Sequence, residues 1–148
     1  MNITTLVNHQ VRLAARPVGL PKASDWQHTT EPVAELGDGG IVVKTLLLSL
    51  DPAMRGWMNE GKSYIPPVEI GAVMRAGAIG VVIASKNPAF KPGDHVSAGT
   101  GVQEVASFGA DQIKRAGIFR IDTRIGTPSQ WLNVLGMPGM TGYFGLMD

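Results

Sequence analysis

One stretch constrains the fold more than any other: Ile41 to Leu50, Ile-Val-Val-Lys-Thr-Leu-Leu-Leu-Ser-Leu. It scarcely alternates between apolar and polar residues, so it reads as a strand buried on both faces. Such a strand needs neighbours above, below and beside it. It stops at Asp51-Pro52, which predicts a short helical turn with Asp51 as cap and Pro52 in the first helical position. Met54, Arg55, Trp57 and Met58 fall in that turn. A loop then carries Tyr64 into Pro66-Pro67, which stiffens the backbone behind it. A phenol on a rigid loop beside Met and Trp side chains suits a pocket for an apolar carbonyl compound. The same residues suit a packed corner with a tyrosine on its surface.

The rest of the composition narrows the class. The 148 residues suffice for about one domain with a real core. With 13 basic and 12 acidic side chains the net charge is +1, and no basic run of five or more is present, so nucleic acid is not an expected partner. There is no cysteine, which excludes disulfides, thiolate chemistry and cysteine-ligated zinc. The first ten residues lack a positive leader and an apolar core, so no signal peptide is expected. The longest apolar run, broken by Lys44, is too short to span a bilayer. A soluble cytoplasmic protein is the expectation. The 19 glycines and 10 prolines are dispersed, which favours many turns and a β-rich domain.

Further strands are expected within Leu6–Arg16, at an edge over Trp26–Pro32, within Val73–Ser85, within Val96–Phe108 and over Ile118–Ile121. Gly77 and Gly80 inside an apolar pattern predict bulges or a bend. Asn87–Asp94 reads as a compact turn, with Asp94 as turn former. His9, His28 and His95 are far apart without metal spacing, and His95 is expected in a solvated loop. Pro128 to Leu135 predicts a short helix capped by Thr127. Gly136, Gly139, Gly142 and Gly145 then recur at every third place. Each interior helix glycine costs roughly 1 kcal/mol against alanine. Close approach of another backbone, approach of a flat ligand, or a glycine-rich loop would explain them.

Four ordered motifs resemble the zinc-independent medium-chain reductases: Ser49-Leu-Asp-Pro-x-Met-Arg-Gly, Ser63-Tyr-x-Pro-Pro-x-x-Ile-Gly, Lys91-Pro-Gly-Asp-x-Val, and Leu135-Gly-Met-Pro-Gly-x-Thr-x-Tyr-Phe-Gly-Leu-x-Asp. The opening Asn8-His-Gln-Val-x-Leu-Ala-x-Arg-Pro-x-Gly-Leu-Pro is similar too. The branch resembled is that of leukotriene B4 12-hydroxydehydrogenase, prostaglandin reductase and curcumin reductase. The resemblance implies a mainly β fold with short helices: a GroES-like β-barrel catalytic domain over residues 1–126, then the start of a connection to a nucleotide-binding domain over 127–148. It implies NADPH as cofactor, no metal, and an enone or enal substrate reduced at its C=C bond. A homodimer stays open.

The resemblance also assigns roles. Tyr64 would donate a hydrogen bond to the substrate carbonyl and stabilise the enolate that hydride addition makes. Met137, Met140 and Thr141 would face the nicotinamide, the methionines packing on its ring and Thr141 bonding its carboxamide. Arg55, Trp57 and Met58 would line the substrate pocket, although Arg55 also reads as a brace paired with Asp51, and Trp57 and Met58 as core. Departures are informative. Ala53 stands where many members have tyrosine, and Gly142 where alanine is common. Gly71 is followed by Ala72 and Val73, not by the His-Glu of zinc-dependent relatives. No Gly-x-Gly-x-x-Gly follows a strand, so no Rossmann fingerprint is present. The rival expectation is a stand-alone barrel serving as a binding or assembly module. A quinone reductase of the same superfamily is a third.

Overall fold

The computed structural model describes residues 5–61 and 63–147. Among these residues seven strands and four short α-helices follow one another as β1 (Val7–Leu13), β2 (Trp26–Pro32), β3 (Ile41–Leu48), α1 (Ala53–Trp57), β4 (Ala78–Ser85), β5 (His95–Ala98), β6 (Val105–Phe108), α2 (Ala110–Arg115), β7 (Phe119–Arg120), α3 (Pro128–Leu132) and α4 (Met137–Met147), with a single 3-10 turn at Ala23–Asp25 before β2. The mainly β expectation holds, but not as one closed barrel. The strands form a two-stranded sheet, β1-β2, and a five-stranded antiparallel sheet in the order β6-β3-β4-β5-β7. Short segments join them: Gln10 bridges Gln103, and Arg12 bridges Val73. Among the described residues no helix is long and apolar enough to cross a membrane.

β3 is buried on both faces only over its first three residues. Ile41 and Val43 enter one core cluster with Val82, Val96, Phe108 and Ile113. Val42 enters another, with Val33 and Val105. Each such side chain contributes about 1.5–3 kcal/mol by leaving water. Beyond Lys44 the expectation fails, because Leu46 and Leu47 are exposed. A register shift between Thr45 and Leu47 interrupts the pairing with β4 where the burial ends. Gly80 faces this irregularity. A Cβ there would collide with Val43 Cγ1 and lie 2.7 Å from the Lys44 carbonyl oxygen.

Behind the β1 edge lies a buried amide cluster. Asn8 Nδ2 and Gln10 Nε2 both donate to Gln103 Oε1 at 2.8 Å, and Asn8 Oδ1 accepts the Val105 amide at 3.0 Å. Buried amides must be paired, and here the pairing fixes β1 against the 103–105 segment. α2 was not anticipated, although Asp111 in its first turn and Lys114 and Arg115 in its last suit the helix dipole. α3 forms where expected but ends at Leu132, short of the expected Leu135. Thr127 Oγ1 accepts from Gln130 N, the Gln130 side chain accepts from Thr127 N, and Pro128 opens the helix. The 11-residue α4 resolves the glycine-rich choice in favour of a helix, yet buries none of its residues. Gly136 and Gly139 are accounted for by close approach of the chain's own backbone at Trp131 and Val134, whereas Gly142 and Gly145 face open space.

Candidate functional site

The corner after β3 is built by local backbone bonds. Ser49 N donates to Gly77 O at 2.9 Å, which pins the strand end to the approach to β4. Contrary to the expectation from sequence, Asp51 does not cap α1 with its carboxylate. Ser49 Oγ holds that carboxylate at 2.9 Å, and Pro52 takes the cap position. Asp51 contributes its main-chain carbonyl instead, accepting the Met54 amide at 2.9 Å.

Arg55 braces the corner, but its partner is not Asp51. Its guanidinium donates to Gly19 O at 2.9 Å, to Pro17 O at 3.1 Å and to Asn59 Oδ1 at 2.6 Å. The loop carrying those carbonyls closes on Asp25, whose main-chain oxygen accepts the Ala14 and Ala15 amides. The Asp25 side chain is 1% exposed and accepts from Lys22 Nζ at 2.7 Å and Lys22 N at 2.9 Å. These two bonds hold its carboxyl below the ordinary carboxylate value. Sequence reasoning missed Asp25 because its role depends on where the loop returns.

Met58 is buried with Leu13, Val68 and Met74, so it supports the corner from beneath. Trp57 is half-buried on the same cluster. Arg75 places its guanidinium 5.4 Å over the Trp57 ring and donates to Pro66 O at 3.0 Å. Val68 N donates to Trp57 O at 2.8 Å. The loop from Tyr64 to Val68 is therefore fastened at both Pro66 and Val68. Tyr64 itself is 82% exposed, and its hydroxyl oxygen accepts the indole N–H of Trp57 at 3.1 Å. With that lone pair occupied, the phenol proton is left to donate outward.

Met137, Met140 and Thr141 lie on α4, all exposed. Thr141 Oγ1 donates to Met137 O at 2.9 Å, the local bond typical of a helical threonine, and keeps its lone pairs free to accept. His95 is not in a solvated loop. It begins β5 opposite Val81, half-buried, and its carbonyl accepts Ile121 N at 2.9 Å. Asp94 forms the turn as expected, accepting the Lys91 amide at 2.9 Å. Among the described residues no group of three or more His, Cys, Asp or Glu is placed to hold a metal ion.

Residues 9–115 match the family model described as the N-terminal domain of oxidoreductase. The chain belongs to that family. This oxidoreductase domain is 38% identical over 144 residues to the putative NADP-dependent oxidoreductase YfmJ of Bacillus subtilis (strain 168), covering 97% of this chain and 41% of that protein. It is 39% identical over 141 residues to the NADPH-dependent curcumin reductase of Escherichia coli (strain K12), covering 95% and 39%. Its fold superposes on the crystal structure of CurA from Vibrio vulnificus in complex with NADPH with a TM-score of 0.84 at 38% identity, over 95% of this chain and 40% of that one. The chain thus spans about two fifths of the length of these relatives.

How far the oxidoreductase domain fits a nicotinamide dinucleotide follows from its own residues. Exposed Met137 and Met140 and an accepting Thr141 hydroxyl fit one wall of a nicotinamide site. A pyrophosphate needs a glycine-rich turn from a strand into a helix N-terminus. No strand of the described residues leads into such a turn.

Proposed function

We propose that this domain is the catalytic part of an NADPH-dependent reductase of the C=C bond of α,β-unsaturated carbonyl compounds. Residues 1–126 form the catalytic domain in this reading, and 127–148 begin the connection to the nucleotide-binding part. The carrying observation is the hydroxyl of Tyr64, exposed, held by Trp57, and left with its proton to donate. The names of the relatives, an NADPH-dependent curcumin reductase and a 2-alkenal reductase of Nicotiana tabacum, support the same chemistry.

NADPH, when bound, supplies hydride to the β-carbon of the substrate. Charge then develops on the carbonyl oxygen, and Tyr64 donates its hydrogen bond there. A preorganised donor aimed at developing charge is among the largest contributions a protein makes to such a step. The phenol suits the task because its reference pKa near 10 keeps it protonated at neutral pH. Solvent water protonates the α-carbon, so the reaction uses no dedicated acid and no metal. Arg55, Trp57 and Met58 shape the corner: Trp57 orients the phenol, Arg55 ties α1 to the Pro17–Gly19 loop, and Met58 packs beneath. Ala53 opens α1 and is exposed, leaving the helix start without bulk. Met137, Met140 and Thr141 are the proposed nicotinamide wall. A cytoplasmic setting, where NADPH is abundant, belongs to the same reading.

The test is the complete enzyme with NADPH and a simple enone, with the product identified. The expected product is the saturated ketone. An allylic alcohol, or no consumption of NADPH, would overturn the reading.

A further inference from the structure

Arg75 reaches the Tyr64 loop from firmly held backbone. Its neighbours Met74 and Ala76 are each 1% exposed. Their main chains are bonded on both sides of it: Met74 N donates to Val11 O at 2.9 Å, Val102 N to Met74 O at 2.8 Å and Gly101 N to Ala76 O at 3.2 Å. The residue is thereby anchored beside the core cluster that Met74 shares with Met58 beneath α1.

The loop it reaches has little of its own to hold it. α1 buries none of its residues. Among the described residues from Glu60 to Pro67, the Pro66 carbonyl is the one main-chain group with a hydrogen bond, and the donor is Arg75 Nη2 at 3.0 Å. Arg16 closes the loop only at its ends, where Nη1 donates to Met58 O at 2.8 Å and to Val68 O at 2.6 Å. Tyr64 stands two residues before Pro66, so its place depends on Arg75 along the chain.

It depends on Arg75 a second time, through space. The guanidinium lies 5.4 Å over the Trp57 ring, whose N–H bonds the Tyr64 hydroxyl at 3.1 Å. A cation on the face of an indole draws electron density from the ring and makes its N–H a better donor. A phenol whose oxygen accepts a stronger bond donates its own proton more strongly, because hydrogen bonds in a chain polarise one another. Arg75 Nη1 is buried without a hydrogen-bond partner among the described residues. An arginine that served only the surface would turn that N–H to water. Its place over the ring offsets the cost of leaving it unpaired, and water does not screen the charge on that side.

We propose that Arg75 is a positioning residue for the reaction: it sets the Tyr64 phenol in place through Pro66 and strengthens it as a donor through Trp57. The proposal rests on the role given to Tyr64.

The test compares Arg75→Met, Arg75→Lys, Tyr64→Phe and the double variant of Arg75→Met with Tyr64→Phe, each in the complete enzyme with NADPH and a simple enone. Arg75→Met should lower kcat about tenfold with KM unchanged, more than one neutral hydrogen bond is worth and less than the phenol itself. Lysine keeps a cation within reach of the ring and should recover part of the loss. In the Tyr64→Phe background Arg75→Met should cost less than about twofold, because the group it acts on is gone. NMR of enzyme isotopically labelled at the indole nitrogens gives a readout apart from activity. In Arg75→Met the Trp57 N–H signal should shift and exchange faster with solvent, while the Trp26 and Trp131 signals stay in place and report an intact fold. A slowed Tyr64→Phe beside an unchanged Arg75→Met, equal losses from Arg75→Met with and without Tyr64, an unmoved Trp57 signal, or no recovery with lysine would each overturn this proposal alone. Normal turnover in Tyr64→Phe would overturn the reading on which it rests, and this proposal with it.

Discussion

Trp57 donates its indole N–H to the hydroxyl oxygen of Tyr64 at 3.1 Å, and the Arg75 guanidinium lies 5.4 Å over the face of the same indole. One ring thus connects a half-buried arginine to an exposed phenol. Tyr64→Phe in the complete enzyme should lower turnover roughly a hundredfold, the usual cost of one donor to a developing oxyanion. Trp57→Phe keeps an aromatic face for Arg75 but removes the N–H. Its loss should be smaller, about fivefold, the scale of one neutral hydrogen bond. Steady-state kinetics on several enones checks both. Unchanged turnover in Tyr64→Phe would reduce the tyrosine to a surface residue.

The dinucleotide should not bind this 148-residue chain by itself. The α4 wall offers few contacts, whereas association forfeits several kcal/mol of translational and rotational freedom. Calorimetric titration with NADPH is expected to show no saturable heat at micromolar concentrations. Saturable binding would mean that the phosphates have a cradle elsewhere in the chain.

Gly80→Ala should destabilise the fold by about 1–3 kcal/mol, because the added methyl must displace Val43 and the Lys44 carbonyl. Gly77→Ala is the control: its nearest neighbour would be Ser49 Cβ at 3.9 Å, an ordinary contact. Denaturant midpoints of the two variants should differ clearly, and equal midpoints would remove Gly80 as a packing constraint.

Gln103→Leu strips the acceptor shared by Asn8 Nδ2 and Gln10 Nε2. A buried donor left unpaired costs about 1–3 kcal/mol. Hydrogen exchange should therefore quicken in β1 and β6 together. Acceleration confined to residue 103 would show that the network does not couple them.

Asp25 makes stability depend on acid. Lys22 lowers its folded-state pKa from the ordinary 3.8. The pair's stabilisation is fully present above that ordinary value and is lost as pH falls through the lowered one. Wild type should therefore melt above Asp25→Asn at pH 7, and the gap should close towards pH 2. A gap independent of pH would show that the carboxylate charge is not what matters.

Much of the fold was legible locally. The β3 run, the α3 capping box and the turn at Lys91–Asp94 depend on residues within one element or one turn, where spacing and side-chain chemistry decide the backbone. The strand at Trp26–Pro32 was legible for the same reason. The motifs that carry the family also lie in short contiguous stretches, so the sequence by itself determined the family and the mainly β class.

Tertiary structure decided what depends on residues meeting across the chain. Arg55 has a candidate partner four residues away in Asp51, but the returning loop offers two carbonyl acceptors, Pro17 O and Gly19 O, beside the local Asn59 Oδ1, and a planar guanidinium can use all three together. The exposed half of β3 could not be read from its leucines, because a register shift opposite Gly80 interrupts the pairing with β4 where the burial ends. His9, His28 and Glu104 carry no spacing signal at all. They share a face only because the hairpin register and the 102–104 segment align them, and register is a property of paired strands, not of any one strand.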